Sequence, residues 1–174
     1  VGVVDADLGL SHGDPRAAER TWQLLNQVIG RAGREQGRGV GYLQTHQPEH
    51  PVIKALIAND REAFYASEID IRERTGYPPF GRLASLLVSG ADKHETEAFA
   101  RRIAAVSPIH DDVRVLGPAE APLAVVRGRH RFRILVKSPR NFDLSAYLRQ
   151  WMADAPKAKG TLKLEVDVDP QSFF

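Results

Sequence analysis

The sequence predicts two parts of different fold class, an α/β part that begins near residue 1 and an α+β part that follows it. Residues 1–5 and 39–45 are short runs rich in β-branched and aromatic side chains, and a helical pattern lies between them, which predicts a β-α-β unit. A proline-rich string at residues 77–80 ends the helical pattern that comes after this unit. Beyond that string, strand and helix patterns follow in the order β-α-β-β-α-β, which is typical of an α+β domain of about 100 residues.

The helix of the β-α-β unit is bounded by residues that favour helix ends. Asp14 should be its N-cap, and Pro15 should occupy the first helical position, where a missing N–H costs nothing. The helix should run to about Ala32, after which Gly33 can take the left-handed conformation that ends a helix. Because a parallel sheet of two strands cannot bury both its faces, we expect the chain to be a piece of a longer protein.

The remaining elements are read from the same patterns. Residues 52–75 carry apolar side chains among many charges, which predicts one or two connecting helices. The later strands are predicted at residues 83–89, 113–116, 124–126, 132–137 and 161–168, with a turn at Gly128 and helices at 93–106 and 144–153. Their order is the split βαβ, or ferredoxin-like, order. We therefore divide the chain into residues 1–55, a helical connector at 56–80, and an α+β domain at 81–174.

Composition excludes several classes of protein. The 174 residues include no Cys, so disulfide frameworks, Cys-ligated zinc and thiol nucleophiles are excluded. No apolar run approaches the roughly 20 residues of a membrane helix and no signal peptide is recognisable, so we expect no membrane partner and a cytoplasmic location. Arg outnumbers Lys 18 to 6, a bias toward the side chain that binds phosphate with a planar fork.

The most informative string, Q-V-I-G-R-A-G-R, lies at the end of the first helix. Gln27, Arg31 and Arg34 are spaced i, i+4 and i+7, so a helix would bring them within roughly 60° of one another. Gly30 and Gly33 remove side-chain bulk beside this edge, which would allow a polyphosphate to come close. The alternative is that arginines at a helix C-terminus only complement the helix dipole.

This string resembles motif VI of superfamily 2 helicases. In that superfamily the two arginines, here Arg31 and Arg34, reach across a cleft between two RecA-like lobes to the γ-phosphate of ATP. Gln27 would sense the nucleotide at the same place, and Gly30 would lie beside it. Further strings over essentially the whole chain resemble the primosomal N′ family of replication-restart helicases: D-A-D-L at 5–8, D-P-R-A-A-E-R at 14–20, Q-L-L at 23–25, Q-T-H at 44–46, R-T-G-Y-P-P-F at 74–80 and D-V-D-P at 167–170.

The resemblance implies that residues 1–55 are the end of the second RecA-like lobe, joined to the C-terminal domain of the family. It also implies an ATP-dependent DNA helicase that recognises stalled or abandoned replication forks and initiates primosome assembly. ATP and magnesium would be bound mainly by other parts of the parent protein, because this sequence has no Gly-Lys phosphate loop and no acidic box for magnesium. Zinc would likewise belong to the parent and not to this chain.

This chain alone should therefore hydrolyse no ATP. The alternative is a protein that is not an enzyme, namely a DNA- or protein-binding module that works without ATP turnover. An ATPase assay and a titration with forked DNA at two salt concentrations would distinguish the two, because phosphate contacts weaken as salt rises.

A second basic feature consists of four alternating arginines, Arg127, Arg129, Arg131 and Arg133. If the stretch is extended, all four leave on one face while Phe132 turns to the core, and such a stripe suits a nucleic-acid backbone. The alternative is a charged strand edge that is kept soluble and unpaired. A turn at Gly128 would split the stripe between two strands.

A partner site is expected at Arg140, which precedes the last predicted helix. The resemblance implies binding of the acidic, phenylalanine-ending tail of single-strand DNA-binding protein, and other primosome proteins as partners. Arg140 could bind the carboxylate, while Leu144, Tyr147 and Leu148 could supply an apolar side. The alternative is a solvated arginine in a loop.

Three other groups of residues receive a structural interpretation. These are Asp5 and Asp7 as loop caps, Arg16, Glu19 and Arg20 as an ion network, and Tyr147 and Trp151 as a core pair. His46 and His50 are separated by Pro48, which breaks any helix that would align them as metal ligands.

Overall fold

The computed structural model describes residues 1–10, 14–32 and 39–171. The chain divides into two units, residues 1–71 and residues 72–174, and each is described by itself. The chain is a mixture of helices and strands, as the sequence predicts, with a two-stranded and a four-stranded sheet among the described residues. No helix in the described part of the chain is both long enough and apolar enough to cross a membrane.

The first unit contains the predicted β-α-β order. Strand β1 (Gly2–Val3) pairs in parallel with β2 (Tyr42–Leu43), and helix α1 (Ala17–Ile29) lies between them in sequence. Two helices follow, α2 (Pro51–Ala58) and α3 (Arg61–Thr75). The core of the unit is centred on Trp22, whose ring stacks on Phe64 with centroids 4.6 Å apart and an angle of 5° between the planes.

Helix α1 is shorter at both ends than the sequence predicts. It begins at Ala17 and not at Pro15, because Asp14 accepts a hydrogen bond from the amide of Arg16 at 2.8 Å and closes a turn before the helix. It ends at Ile29, with Gly30 as the C-cap in a right-handed conformation. The next amide, that of Arg31, bonds three residues back to Val28, so the last turn is tightened. The cap predicted at Gly33 lies outside the described residues.

The second unit is built on a four-stranded antiparallel sheet in the order β4-β5-β3-β6. Its elements are β3 (Gly81–Gly90), α4 (Lys93–Ala105), β4 (Arg114–Val126), β5 (Arg129–Pro139), α5 (Leu144–Asp154) and β6 (Lys163–Val168). This is the predicted order of elements. The guanidinium of Arg82 on β3 pairs with Asp169, just after β6, at 2.7 Å.

One detail of the predicted strands is wrong. The runs at 113–116 and 124–126 are parts of a single strand, β4, whose register on β5 shifts between Leu116 and Ala119 and again between Glu120 and Val125. Pro118 has no N–H to give to the ladder and Gly117 has a positive φ of 97°, so local sequence favours an interruption. The continuous partner strand β5 nevertheless holds both halves in one strand.

Helices α4 and α5 cover one face of this sheet. Their apolar residues pack with alternate residues of β3 and β5, and the core residues include Leu86, Phe99, Ile103, Ile134, Leu148 and Trp151. The indole N–H of Trp151 donates to the carbonyl of Ile103 at 2.9 Å, and the ring lies edge-on to Tyr147 at 6.0 Å. The predicted core pair is confirmed. The other face of β5 carries its basic side chains.

Candidate functional site

The edge of α1 that carries Gln27 and leads to Arg31 faces solvent. The helix buries Thr21, Trp22 and Leu25 and leaves Gln27 exposed, and Arg31 is exposed in the turn that follows. Neither the Gln27 nor the Arg31 side chain makes a hydrogen bond or an ion pair with any residue that the structure describes. These two polar groups are therefore available to a ligand, whereas Arg34 lies outside the described residues.

Gly30 is exposed at the C-terminal end of α1. A Cβ built at this position would stand 3.1 Å from the carbonyl oxygen of Asn26, a separation that requires the helix end to shift. Its backbone is right-handed, so the glycine is not needed there for a positive φ. Among the described residues, the only atoms near that Cβ are carbonyl oxygens of α1 itself, so no contact with another element requires a glycine at position 30.

The start of α1 is held by two ion pairs. Arg16 pairs with Glu19 at 3.0 Å, one turn along, which confirms the predicted i, i+3 contact, and this hydrogen bond raises the pKa of Arg16. Arg20 pairs with Asp14 at 3.1 Å, and the Asp14 side chain is fully buried. A buried carboxylate needs such partners, so Asp14 fixes how the chain enters the helix that carries Gln27 and Arg31.

Asp7 joins the two loops that follow β1 and β2. Its carboxylate accepts hydrogen bonds from the hydroxyl of Thr45 and, at 2.6 Å, from the amide of His46. These two bonds hold the pKa of Asp7 below its ordinary value. Asp7 is therefore a structural cap, as predicted, whereas Asp5 is exposed in a left-handed conformation with φ of 61°.

His50 caps the next helix. Its Nδ1 accepts a hydrogen bond from the amide of Val52 at 3.2 Å, at the first turn of α2. Burial lowers the pKa of His50, and the charges of Asp7 and Glu68 oppose that shift. Within the described ranges, no group of three or more His, Asp or Glu side chains could hold a metal ion.

The basic stripe lies on β5, apart from Arg127. Arg127 and Gly128 are the two central residues of the hairpin between β4 and β5, with φ of 50° and 74°, the signs required by a type I′ turn. The prediction that four arginines share one extended face is therefore wrong for Arg127. The other three are not split between strands, because the turn leaves Arg129, Arg131 and Arg133 together on β5, half-buried and opposite the core residues.

The guanidinium groups of the strand arginines differ in how strongly they are held by hydrogen bonds within the protein. The Arg129 guanidinium donates to the carbonyl of Ser89 at 3.0 Å and to that of Thr161, so it braces the end of β3 against the segment before β6. Arg131 reaches the carbonyl of Leu123 at 3.4 Å, a long contact to the neighbouring strand. Arg129 is thus chiefly a structural side chain, and Arg131 is more available to a ligand.

Arg140 is exposed in the turn between β5 and α5. The apolar side chains expected beside it are not at the surface, because Leu144, Tyr147 and Leu148 are only 0%, 5% and 4% exposed in the core. The amphipathic α5 uses that face to cover the sheet, and the Tyr147 hydroxyl donates to the carbonyl of Pro108 at 2.7 Å. The expectation that these three line a peptide site was wrong.

Sequence reasoning missed a pocket in the second unit. It has a volume of about 520 Å³ and lies beside the end of α3, with Arg114 and Lys137 among its lining residues. Gly81 allows the chain to pass close by, since a Cβ there would lie only 2.3 Å from the carbonyl oxygen of Gly76. The string R-T-G-Y-P-P-F-G was a usable signal for an unusual turn, but Arg114 and Lys137 lie far from it in sequence.

Comparison with known proteins identifies a family. A family model described as the primosomal protein N C-terminal domain matches residues 73–171. The replication restart protein PriA of Rickettsia felis is 40% identical over 174 residues, which is 100% of this chain and 26% of that protein. The protein of the same name from Synechocystis sp. is 38% identical over 175 residues, which cover 99% of this chain and 21% of that protein. The one from Bacillus subtilis is 37% identical over 152 residues, which cover 86% of this chain and 19% of that protein.

The chain therefore spans about a quarter or less of the length of these relatives. The family model covers more than half of the chain, and it coincides with almost all of the second unit, residues 72–174. The resemblance seen in the sequence is confirmed, and the chain belongs to the family of the primosomal protein N C-terminal domain.

Proposed function

We propose that this chain is the C-terminal part of an ATP-dependent DNA helicase that recognises stalled or abandoned replication forks and initiates primosome assembly. Its relatives are named as replication restart proteins, and its second unit carries the domain of that family. In this proposal the first unit is the end of a RecA-like lobe. The second unit is a ferredoxin-like domain, supported by the element order β-α-β-β-α-β and the antiparallel order β4-β5-β3-β6.

The observation that carries the DNA-binding role is the basic face of β5. Helices α4 and α5 cover the opposite face, so the arginine side is the one that a long polymer could follow. Arg131 on that face and the exposed Arg127 at the hairpin tip supply guanidinium groups at neighbouring positions. Guanidinium groups bind phosphates in forks and single strands without reading the bases.

The experiment is a fluorescence-anisotropy titration with forked DNA at several salt concentrations. The variant Arg127→Gln/Arg131→Gln should bind more weakly, and its plot of log affinity against log salt should be flatter by about one to two units. Arg149→Gln/Lys157→Gln removes the same charge from exposed positions on α5 and after it, and serves as the control. Equal affinity and slope in the two double variants would show that the arginine stripe is a device for solubility.

The proposed role in ATP hydrolysis rests on Gln27 and Arg31, which are both exposed and whose side chains make no hydrogen bond or ion pair with described residues. Arg31 and Arg34 would stabilise negative charge on the transferring phosphoryl group, as arginine fingers do. ATP supplies that phosphoryl group, and magnesium and the zinc of the parent would be held outside this chain. A hydrolysing protein therefore requires lobes that this sequence does not include.

A stand-alone binding module is the second candidate. It is favoured by the separate core of the second unit, which coincides with the family match. Forked or single-stranded DNA, single-strand DNA-binding protein and other primosome proteins are the proposed partners in either case. ATP turnover by a protein that includes the missing lobes separates the two candidates, because a module would show DNA binding only.

A further inference from the structure

The pocket beside the end of α3 contains two cations that face each other across strands. Arg114 on β4 and Lys137 on β5 are direct partners in the register, so their side chains leave on the same face of the sheet. The Lys137 ammonium donates to the carbonyl of Thr75 and lies 4.6 Å from the centre of the Tyr77 ring, which holds it in place. Burial, and then the charge of Arg114, lower the pKa of Lys137.

No carboxylate among the described residues neutralises these two cations. Neither makes an ion pair with a carboxylate in the described part of the chain. Glu73 and Asp112 also line the pocket, together with three cations, Arg74, Arg114 and Lys137, so its charged lining is net positive. The two carboxylates favour a ligand that also carries hydrogen-bond donors, because ionised carboxylates only accept.

The same pocket contains an exposed aromatic ring. Phe80 is 39% exposed, and it lines the pocket together with the backbone around Gly76 and Gly81. A volume of about 520 Å³ lies in the range of small-ligand sites. A partly exposed aromatic ring in a pocket that is also lined by cations offers a surface for a nucleobase and partners for its phosphate.

The pocket also continues the basic face of β5. Residues at alternate positions of a strand share a face, so Lys137 lies on the same side as Arg131 and Arg133. The basic side chains therefore run from the β4–β5 hairpin toward the pocket, with Leu135 between them. A strand of nucleic acid that follows this face would reach the pocket at the end of β5.

We propose that this pocket holds one nucleotide unit of a DNA strand, with its phosphate between Arg114 and Lys137 and its base on Phe80. The proposal rests on the DNA-binding role proposed above and specifies where the strand is held. Base N–H groups, such as the N3–H of thymine, are the donors that would meet Glu73 and Asp112.

The first test is binding of an oligothymidylate of roughly 12 nucleotides to the 174-residue chain, measured by anisotropy at several salt concentrations. Phe80→Leu keeps apolar bulk without the ring and should weaken binding by about fivefold or more, the lower limit for one base stack. Arg114→Gln should flatten the salt plot by about 0.7 units, the value for one phosphate of a single strand. Arg149→Gln, an exposed charge on α5, is the control and should leave both unchanged.

The second test follows thymidine monophosphate by NMR. It should shift the amide resonances of Gly76 and Gly81, which line the pocket, and leave Gly160 unmoved. If the oligonucleotide binds and both pocket variants behave like Arg149→Gln, the pocket proposal is overturned and the DNA-binding role stands. If no oligonucleotide binds, both fail. If an acidic peptide shifts these resonances and the nucleotide does not, the pocket binds a protein partner and the nucleotide proposal is also overturned.

Discussion

The carboxylate of Asp7 accepts a hydrogen bond from the hydroxyl of Thr45, 38 residues further along the chain. Together with the bond from the His46 amide, this contact ties the loop after β1 to the loop after β2. The two strands themselves are only two residues long, so their pairing contributes few hydrogen bonds. The Asp7 carboxylate is therefore a main cross-link of this small parallel sheet.

We predict that Asp7→Asn lowers the stability of the first unit and removes part of its acid sensitivity. The pKa of Asp7 is held below 3.8 by Thr45 and then His46, so the folded state favours the ionised form. That stability is present above pH 3.8 and is lost as pH falls through the folded pKa. Urea unfolding between pH 7 and about pH 3 measures both effects. Asp5→Asn, at an exposed position, should leave the curve unchanged.

A second pH effect is expected at His50. Burial lowers its pKa, and its Nδ1 can cap α2 only while that atom is unprotonated. The capping contribution is therefore complete above pH 6.5, the ordinary pKa, and is lost as pH falls through the lower folded pKa. His50→Asn keeps a capping acceptor that does not titrate.

Amide hydrogen exchange of α2 at pH 8 and at about pH 5 measures the His50 effect, after correction for the intrinsic dependence of exchange on pH. Wild type should lose protection on acidification, and His50→Asn should lose less. His94→Asn is the matched control, because His94 is exposed on α4 in the other unit. If wild type and His50→Asn lose the same protection on acidification, titration of the His50 cap is not the cause of the loss.

Much of the fold follows from sequence because it depends on local patterns. The alternation along β5 predicts which of Phe132 and Arg133 faces the core, and Gly128 predicts the hairpin turn because glycine tolerates a positive φ. The positive φ of Arg127 is unusual for its residue type and could not be predicted. Helix α1 starts late because Asp14 binds the Arg16 amide and the Arg20 guanidinium, two contacts that are local in sequence but that the residue types alone do not specify. Likewise, β4 is continuous only because β5 lies beside it.

The candidate sites were harder to predict than the fold, since exposure depends on how elements pack. The amphipathic pattern of α5 cannot tell whether Leu144 covers the sheet or lines a partner site, and it covers the sheet. The pairing of Arg114 with Lys137 needs the register of two strands with a bulge between them. The resemblance to motif VI was visible because the residues that carry it lie close together in sequence.

The arginine-finger assignment predicts a large loss of turnover. We expect Arg31→Ala or Arg34→Ala to lower kcat for ATP by about 10³-fold or more, because the interaction belongs to the transition state, and to leave DNA binding unchanged. The assay uses a longer protein, a chimera in which this chain replaces the matching 174 residues of the Rickettsia felis relative. Arg101→Gln, an exposed residue of α4, is the control. Turnover within twofold of the parent chimera would contradict the assignment.

The last prediction concerns Arg140, which remains a proposed contact for the acidic, phenylalanine-ending tail of single-strand DNA-binding protein. The guanidinium is exposed and would bind the terminal carboxylate of the tail. The phenylalanine ring must pack elsewhere than on Leu144 and Leu148, which are buried. Because carboxylate binding alone is weak in water, we expect this chain to bind the peptide more weakly than a protein of its relatives' full length. Arg140→Ala should abolish the remaining affinity, while Arg149→Gln should preserve it. Calorimetric titrations in which wild type and Arg140→Ala bind equally would place the carboxylate on another cation.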